Sequence, residues 1–250
     1  FRLASGALDR GFKFEALHRY TDRDANPLYW RIRAKHPATG KKWTRPMRLT
    51  GNRFELREPE RPANGKLLYR LHELVSRPDE VVIVTEGETK ADQLAALGLL
   101  VTTSGAADSA GDADWQALAG RDVLIWPDND TPGRHYADAV LAALRSLGCK
   151  LKVIDVDLLG LPPKGDAVDW LASHPDAKAA DVLALTCKQD PSIAPGDYGA
   201  NVGGSEATQA DAYPQAPVDP PNTCRYGGGR FALTQRGVLF AGTDHEGNQK

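Results

Sequence analysis

The sequence predicts an α/β fold: a parallel sheet with helices on both faces, preceded by a smaller basic α+β lobe. Three observations carry that prediction. From Glu80 onward short apolar runs alternate with helix-like segments, the pattern of strands and crossover helices in a parallel sheet. Ahead of it, residues 28–49 alternate apolar and basic side chains, as a half-buried antiparallel pair does. The charge divides near the same place: residues 1–75 hold 17 Lys and Arg against 8 Asp and Glu, and the remainder holds 14 against 25.

In the front lobe, "LYWRIRAKHPATGKKWTRPMRL" reads as two strands joined by a turn over His36 to Gly40. Trp30, Ile32 and Ala34 fall on one face; Arg31, Arg33 and Lys35 fall on the other. "VVIV" (Val81 to Val84) is a continuous β-branched run, as suits a strand buried on both faces. "ETKADQLAALG" follows with Ala91, Leu94, Ala95 and Leu97 at helical spacing and Gly98 as the stop. "LLVTTSG" is a second strand, "DADWQALAG" a short helix, "DVLIW" a third strand, and "GRHYADAVLAALRSLG" a long amphipathic helix. "KLKVIDV" is the fourth strand, and "LLGLPPKGDAVDWLASHP" a loop running into another helix. Four segments result: a basic lead-in lobe at 1–78, the α/β domain at 79–188, a flexible Pro/Gly/Ala-rich linker at 189–224, and the β-hairpin start of a further domain at 225–250.

Composition narrows the class. A hydrophobic fraction of 41% and a charged fraction of 26% are ordinary for a globular protein. No apolar run approaches the ~20 residues of a membrane span, and no signal segment opens the chain, so no membrane partner is expected. Cys149, Cys187 and Cys224 are scattered and odd in number, which fits a reducing cytoplasm better than a disulfide framework. The chain opens on Phe1, as a piece of a longer protein would.

Parallel sheets bind ligands at the carboxyl ends of their strands. Here the first strand delivers Glu86, the second Gly105, the third Asp128 and Asp130, and the fourth leads to Asp166 and Asp169. Gathered carboxylates raise one another's pKa until a cation neutralises them. Oxygen-only donors favour a hard ion such as Mg²⁺. Each acid also has a local explanation. Asp128 could form an Asx turn, Asp130 and Asp166 could be helix N-caps, Asp169 could meet a helix dipole, and Glu88 could cap its helix.

Glu86-Gly87 after one strand, Gly105 after the next, and Asp128-Asn129-Asp130 with Gly133 after the third resemble the toprim domain, a Rossmann-like fold. That domain is shared by bacterial-type DNA primases, topoisomerases of types IA and II, small nucleases and a recombination-repair protein. The resemblance spans about Val81 to Asp169. "EGETKADQL", "DNDTPGRHYADAVLAAL" and "KGDAVDWL" look most like primases of phages, plasmids and integrated elements, and "LLYRLHEL" resembles their lead-in. The tail from Gly227 is similar to the start of a helicase-like domain.

The resemblance implies a DNA primase, a nucleotidyltransferase acting on single-stranded DNA with nucleoside triphosphates, with a helicase domain in the same or another chain. It implies that Glu86 is general base or acid, or a metal ligand, and that Asp128 and Asp130 bind Mg²⁺ (or Mn²⁺). Lys90 stands where such primases often carry a basic residue; Gly105, Asp166 and Asp169 are accessory positions. Arg31, Arg33, Lys35, Lys41, Lys42, Arg45 and Arg48 form the expected template surface; of the aromatics interleaved with them, Tyr29, Trp30 and Trp43, the two tryptophans either offer base-stacking surfaces or form the small core of the lobe. The chain departs from a complete primase-helicase in having neither a zinc-type Cys/His cluster nor a GxxxxGK[ST] loop. A toprim nuclease would use the same acids, and a non-catalytic module positioning a helicase would use the same bases. A dehalogenase-type phosphatase would need its DxD motif after the first strand, whereas here it follows the third.

Overall fold

The computed structural model describes residues 3–106 and 108–189 and the strand residues 223–226, 229–234 and 237–241. The expected linker lies almost wholly outside them, as does half of the tail. Three strands are described in the tail, Thr223–Tyr226, Gly229–Thr234 and Gly237–Ala241, forming one antiparallel sheet.

After a short helix, α1 (Ser5–Leu8), the front lobe is a four-stranded antiparallel sheet: β1 (Lys13–Thr21), β2 (Pro27–Lys35), β3 (Lys42–Thr50) and β4 (Arg53–Glu55), in that spatial order. The β2–β3 pair is the one the alternation predicted. Trp30, Ile32 and Met47 are fully buried on one face, with Trp43 and Phe54 packed beside them. β1 was not legible, because its register shifts between Phe14 and Ala16 and a bulge destroys the two-residue period. It also buries a polar residue, His18, at 2% exposure.

The second sheet has the order β6-β5-β7-β8-β9, formed by β5 (Val82–Thr85), β6 (Leu100–Thr102), β7 (Asp122–Trp126), β8 (Lys150–Ile154) and β9 (Cys187–Gln189). Its first four members run parallel, and β9 closes the edge antiparallel. Every residue of β5 is buried, as its unbroken apolar run requires. On one face, α2 (Leu71–Ser76) and α4 (Thr131–Arg145) pack Leu71, Leu74, Tyr136, Val140 and Leu144 against Val82, Val84, Val123 and Ile125. On the other, α3 (Glu88–Ala95), α5 (Ala167–Ser173) and α6 (Ala179–Leu183) set Ala91, Leu94, Trp170 and Val182 on Ile83, Val101, Leu124 and Trp126. Each such large aliphatic side chain contributes about 1.5–3 kcal/mol by leaving water.

Local signals explain the helix ends. Asp130 caps α4 through a Gly133 N–H bond at 2.8 Å, with Pro132 in the first turn. Asp166 and Asp169 form a reciprocal capping box on α5. Three features differ from expectation. The short helix at 112–120 is two 3₁₀ turns, Ala110–Asp112 and Trp115–Leu118. The edge strand β9 and the helix α6 were not foreseen, being too short to show a period. Glu88 does not cap α3; Gly87 occupies that position and the Glu88 carboxylate turns toward the front lobe. Among the described residues no helix is long and apolar enough to cross a membrane.

Candidate active site

The strand order places the site. The chain passes from β5 to β6 on one side and then crosses back to β7 on the other, so a crevice opens past the carboxyl ends of β5 and β7. Glu86 directly follows β5, and Asp128 lies two residues beyond β7.

The backbone around Glu86 is held by its neighbours. Gly87 has φ 82°, a conformation side chains disfavour. Its N–H donates to Thr103 Oγ1 at 2.9 Å, and the Gly105 N–H donates to the same oxygen at 3.0 Å. This fully buried hydroxyl therefore ties the loop after β5 to the loop after β6. From α4, the buried Tyr136 hydroxyl donates to Thr85 O at 3.2 Å and hydrogen-bonds Ser104 Oγ at 2.9 Å. Thr103 and Tyr136 escaped the sequence reading, since only a through-space contact distinguishes them from other core residues.

The Asp128 loop is equally constrained. Gly133 approaches so closely that a Cβ there would lie 2.6 Å from Asp128 O and 2.7 Å from Asp128 N. Asn129 exchanges backbone bonds with Lys164 and Gly165 and donates its side-chain amide to Leu161 O and Pro162 O. That clip brings Asp166 to the same edge. Lys90, one helical turn past Glu86, sets its Nζ 2.7 and 2.6 Å from the two oxygens of Asp128 and 3.5 Å from Asp166 Oδ2. Asp130 is engaged through Oδ1 with its helix, and Asp169 Oδ2 accepts the Asp166 N–H at 2.9 Å.

Burial lifts the Asp128 carboxyl above its ordinary range; Lys90 pulls it back down, while Asp166 and Asp130 push it up. Glu86 is also raised, first by burial and then by Asp128, with Lys90 and Lys42 opposing. The acids are close enough to repel one another. Among the described residues, however, no three Asp, Glu, His or Cys side chains converge into a ready ion cage. The cation against Asp128 is the ammonium of Lys90.

Glu86, Lys90, Asp166 and Asp169 line one wall of an open groove of about 1860 Å³; Arg31, Arg33, Lys35 and Lys42 line the other. The register explains which bases reach it. Arg33 pairs with Thr44 and Lys35 with Lys42, so these share the groove face, whereas Arg45 pairs with Ile32 on the opposite face and lies over the Trp43 ring. Lys41 sits in the turn before β3, and Arg48 ion-pairs with Glu60 at 3.6 Å. Of the seven bases singled out, four meet the acids across the groove.

Arg31 has a different role from the other three. Only 18% exposed, it lies 3.5 Å from the Glu88 carboxylate, which also accepts the Tyr20 hydroxyl at 2.7 Å. Beside it Asp92 gathers His18 Nδ1 at 2.9 Å, the Tyr69 hydroxyl at 2.9 Å and Arg70 at 3.2 Å. Two acids of α3 thereby latch β1 and β2 onto the parallel-sheet domain and fix the width of the groove. Arg33 bonds Glu15 at 2.8 Å but remains on the groove wall.

No family model and no curated protein matches this chain. Among solved structures it is similar to the zinc-binding and RNA polymerase domains of the Aquifex aeolicus primase, at 15% identity and a TM-score of 0.43. The likeness covers 63% of this chain and 36% of that one, so the chain spans about a third of the neighbour's length. Identity and TM-score this low carry nothing about activity; the residues of the groove must supply that.

Proposed function

We propose that this chain is the central, toprim-type piece of a DNA primase from a phage, plasmid or other mobile element, acting with a helicase domain. Its substrates are a single-stranded DNA template and nucleoside triphosphates. One observation carries the reading: Glu86 and Asp128 follow the two strands that flank the crevice of a parallel sheet, and Glu86 faces a wall of Arg33, Lys35 and Lys42 across one groove. Joining nucleotides needs a bound polyanion and an activated hydroxyl, and the two walls divide those tasks.

Glu86, its carboxyl lifted by burial and by Asp128, is suited to accept the proton of the attacking primer hydroxyl. Arg33, Lys35 and Lys42 hold template phosphates without reading sequence. The latch at Glu88 and Asp92 keeps the two walls in register during the reaction. Mg²⁺ or Mn²⁺, taken by Asp128 and Asp130 beside Glu86, would supply neutralisation of the triphosphate.

Primer synthesis on single-stranded DNA tests the reading. Glu86→Gln and Asp130→Asn should each lower nucleotide incorporation by about 100-fold or more, with template binding retained. Undiminished incorporation in both variants would refute it. DNA cleavage without incorporation by the same preparation would assign the acids to a nuclease instead.

A further inference from the structure

Lys90 is the part of the groove that the proposed reaction leaves without a task. Its ammonium sits on both oxygens of Asp128, at 2.7 and 2.6 Å, while only 12% exposed. A divalent ion taken by Asp128 would need those same oxygens. Two cations cannot share one carboxylate at such distances without strong repulsion. The amine also has somewhere to go. Asp166 Oδ2 lies 3.5 Å from Nζ, whereas Asp166 Oδ1 is committed to the Val168 and Asp169 N–H groups. The Asp166 carboxylate is thus divided between a helix cap and an open oxygen facing the lysine.

We propose that Lys90 is an exchangeable internal counter-cation: it neutralises Asp128 when no metal is present and moves to Asp166 Oδ2 when a divalent ion binds. This rests on the proposed metal at Asp128. It gives the half-buried Asp128 a cation of the chain's own when no ion is present. It also makes metal affinity the difference between two occupants of Asp128, so Lys90 weakens resting binding. Asp166 is a positioning residue that acts through Lys90.

Mn²⁺ itself is the probe, with the free ion measured by its paramagnetic resonance signal. The set comprises the intact chain, Lys90→Met, Asp166→Asn, their double variant, and Asp128→Asn as the control that should lose the site. Lys90→Met should bind Mn²⁺ roughly tenfold more tightly than the intact chain, about 1.4 kcal/mol. Asp166→Asn retains the Oδ1 cap but removes the second station, so it should weaken binding more in the intact background than in Lys90→Met. Should Lys90→Met not fold, Lys90→Gln keeps a donor for Asp128 without the charge and should shift affinity the same way. Unchanged or weaker binding in the lysine variants, with the intact chain still binding at Asp128, overturns the exchange and leaves the metal site standing. Equal Asp166→Asn effects in both backgrounds overturn it too, leaving Lys90 as a repelling neighbour. If neither the intact chain nor its lysine variants bind Mn²⁺ at Asp128, the metal reading itself fails.

Discussion

Gly133→Ala separates two opposing effects of one methyl group. Gly133 lies in the first turn of α4, and there a Gly→Ala change would ordinarily stabilise a helix by about 1 kcal/mol. The added Cβ would, however, stand 2.6 Å from Asp128 O, 2.7 Å from Asp128 N and 2.8 Å from Asp128 Cβ. All three atoms belong to one residue, two of them backbone, so no flexible side chain can swing away. Relief requires the loop and helix to part by roughly 0.6–0.8 Å, and such overpacking typically costs about 1–3 kcal/mol. The clash offsets or outweighs the propensity, and the net loss should be up to about 2 kcal/mol, a fall of up to about 8 °C in Tm for a chain of this size. The displaced residue is the one paired with Lys90 at the sheet edge. Misplacement approaching 1 Å at a reacting centre costs up to about 100-fold in rate. Thermal melts and primer synthesis on the same preparation measure both quantities. A chain that melts higher and incorporates nucleotides as before would refute the reasoning, because the Asp128 loop would then yield without cost.

Two further outcomes follow from the charges of the groove. Burial holds the folded Glu86 carboxyl above its unfolded value, so its stabilising contribution is full below the ordinary glutamate pKa of about 4.3 and is lost as pH rises through the raised folded value. Glu86→Gln should therefore melt higher than the parent at neutral pH, with the gap closing on acidification; a gap independent of pH would remove the electrostatic cause. On the opposite wall, Arg33, Lys35 and Lys42 replaced together by Ala should weaken single-stranded DNA binding and flatten the slope of log affinity against log salt by about two units, at roughly 0.7 per phosphate contact. Arg31 is left intact because its loss would open the latch at Glu88. An unaltered slope would place the template elsewhere.

Much of the fold was legible from the chain because its causes are local. The β-branched run at Val82 to Val84 is a buried strand, Asp130 and Asp166 cap the helices that follow them, and the strand–helix alternation fixes a parallel sheet. From the parallel sheet it follows that Glu86, Asp128 and Asp130 share one edge, whatever lies between them. The alternation of Trp30, Arg31, Ile32 and Arg33 likewise fixed which face of β2 is apolar.

Tertiary structure decided what those groups touch. Arg31 lies on the polar face of β2 as its period requires, yet it meets Glu88 on α3 of the parallel-sheet domain and becomes part of a latch. Lys90 and Asp128 are 38 residues apart, Tyr20 and Glu88 are 68, and His18 and Asp92 are 74. Thr103 binds the N–H groups of two glycines in different loops, and nothing in "LVTTSG" distinguishes it from Thr102. Backbone preference and burial act within a few residues and leave a period in the sequence. A charge or hydroxyl chooses its partner by distance in space, after the chain has folded back on itself, and that choice leaves no period.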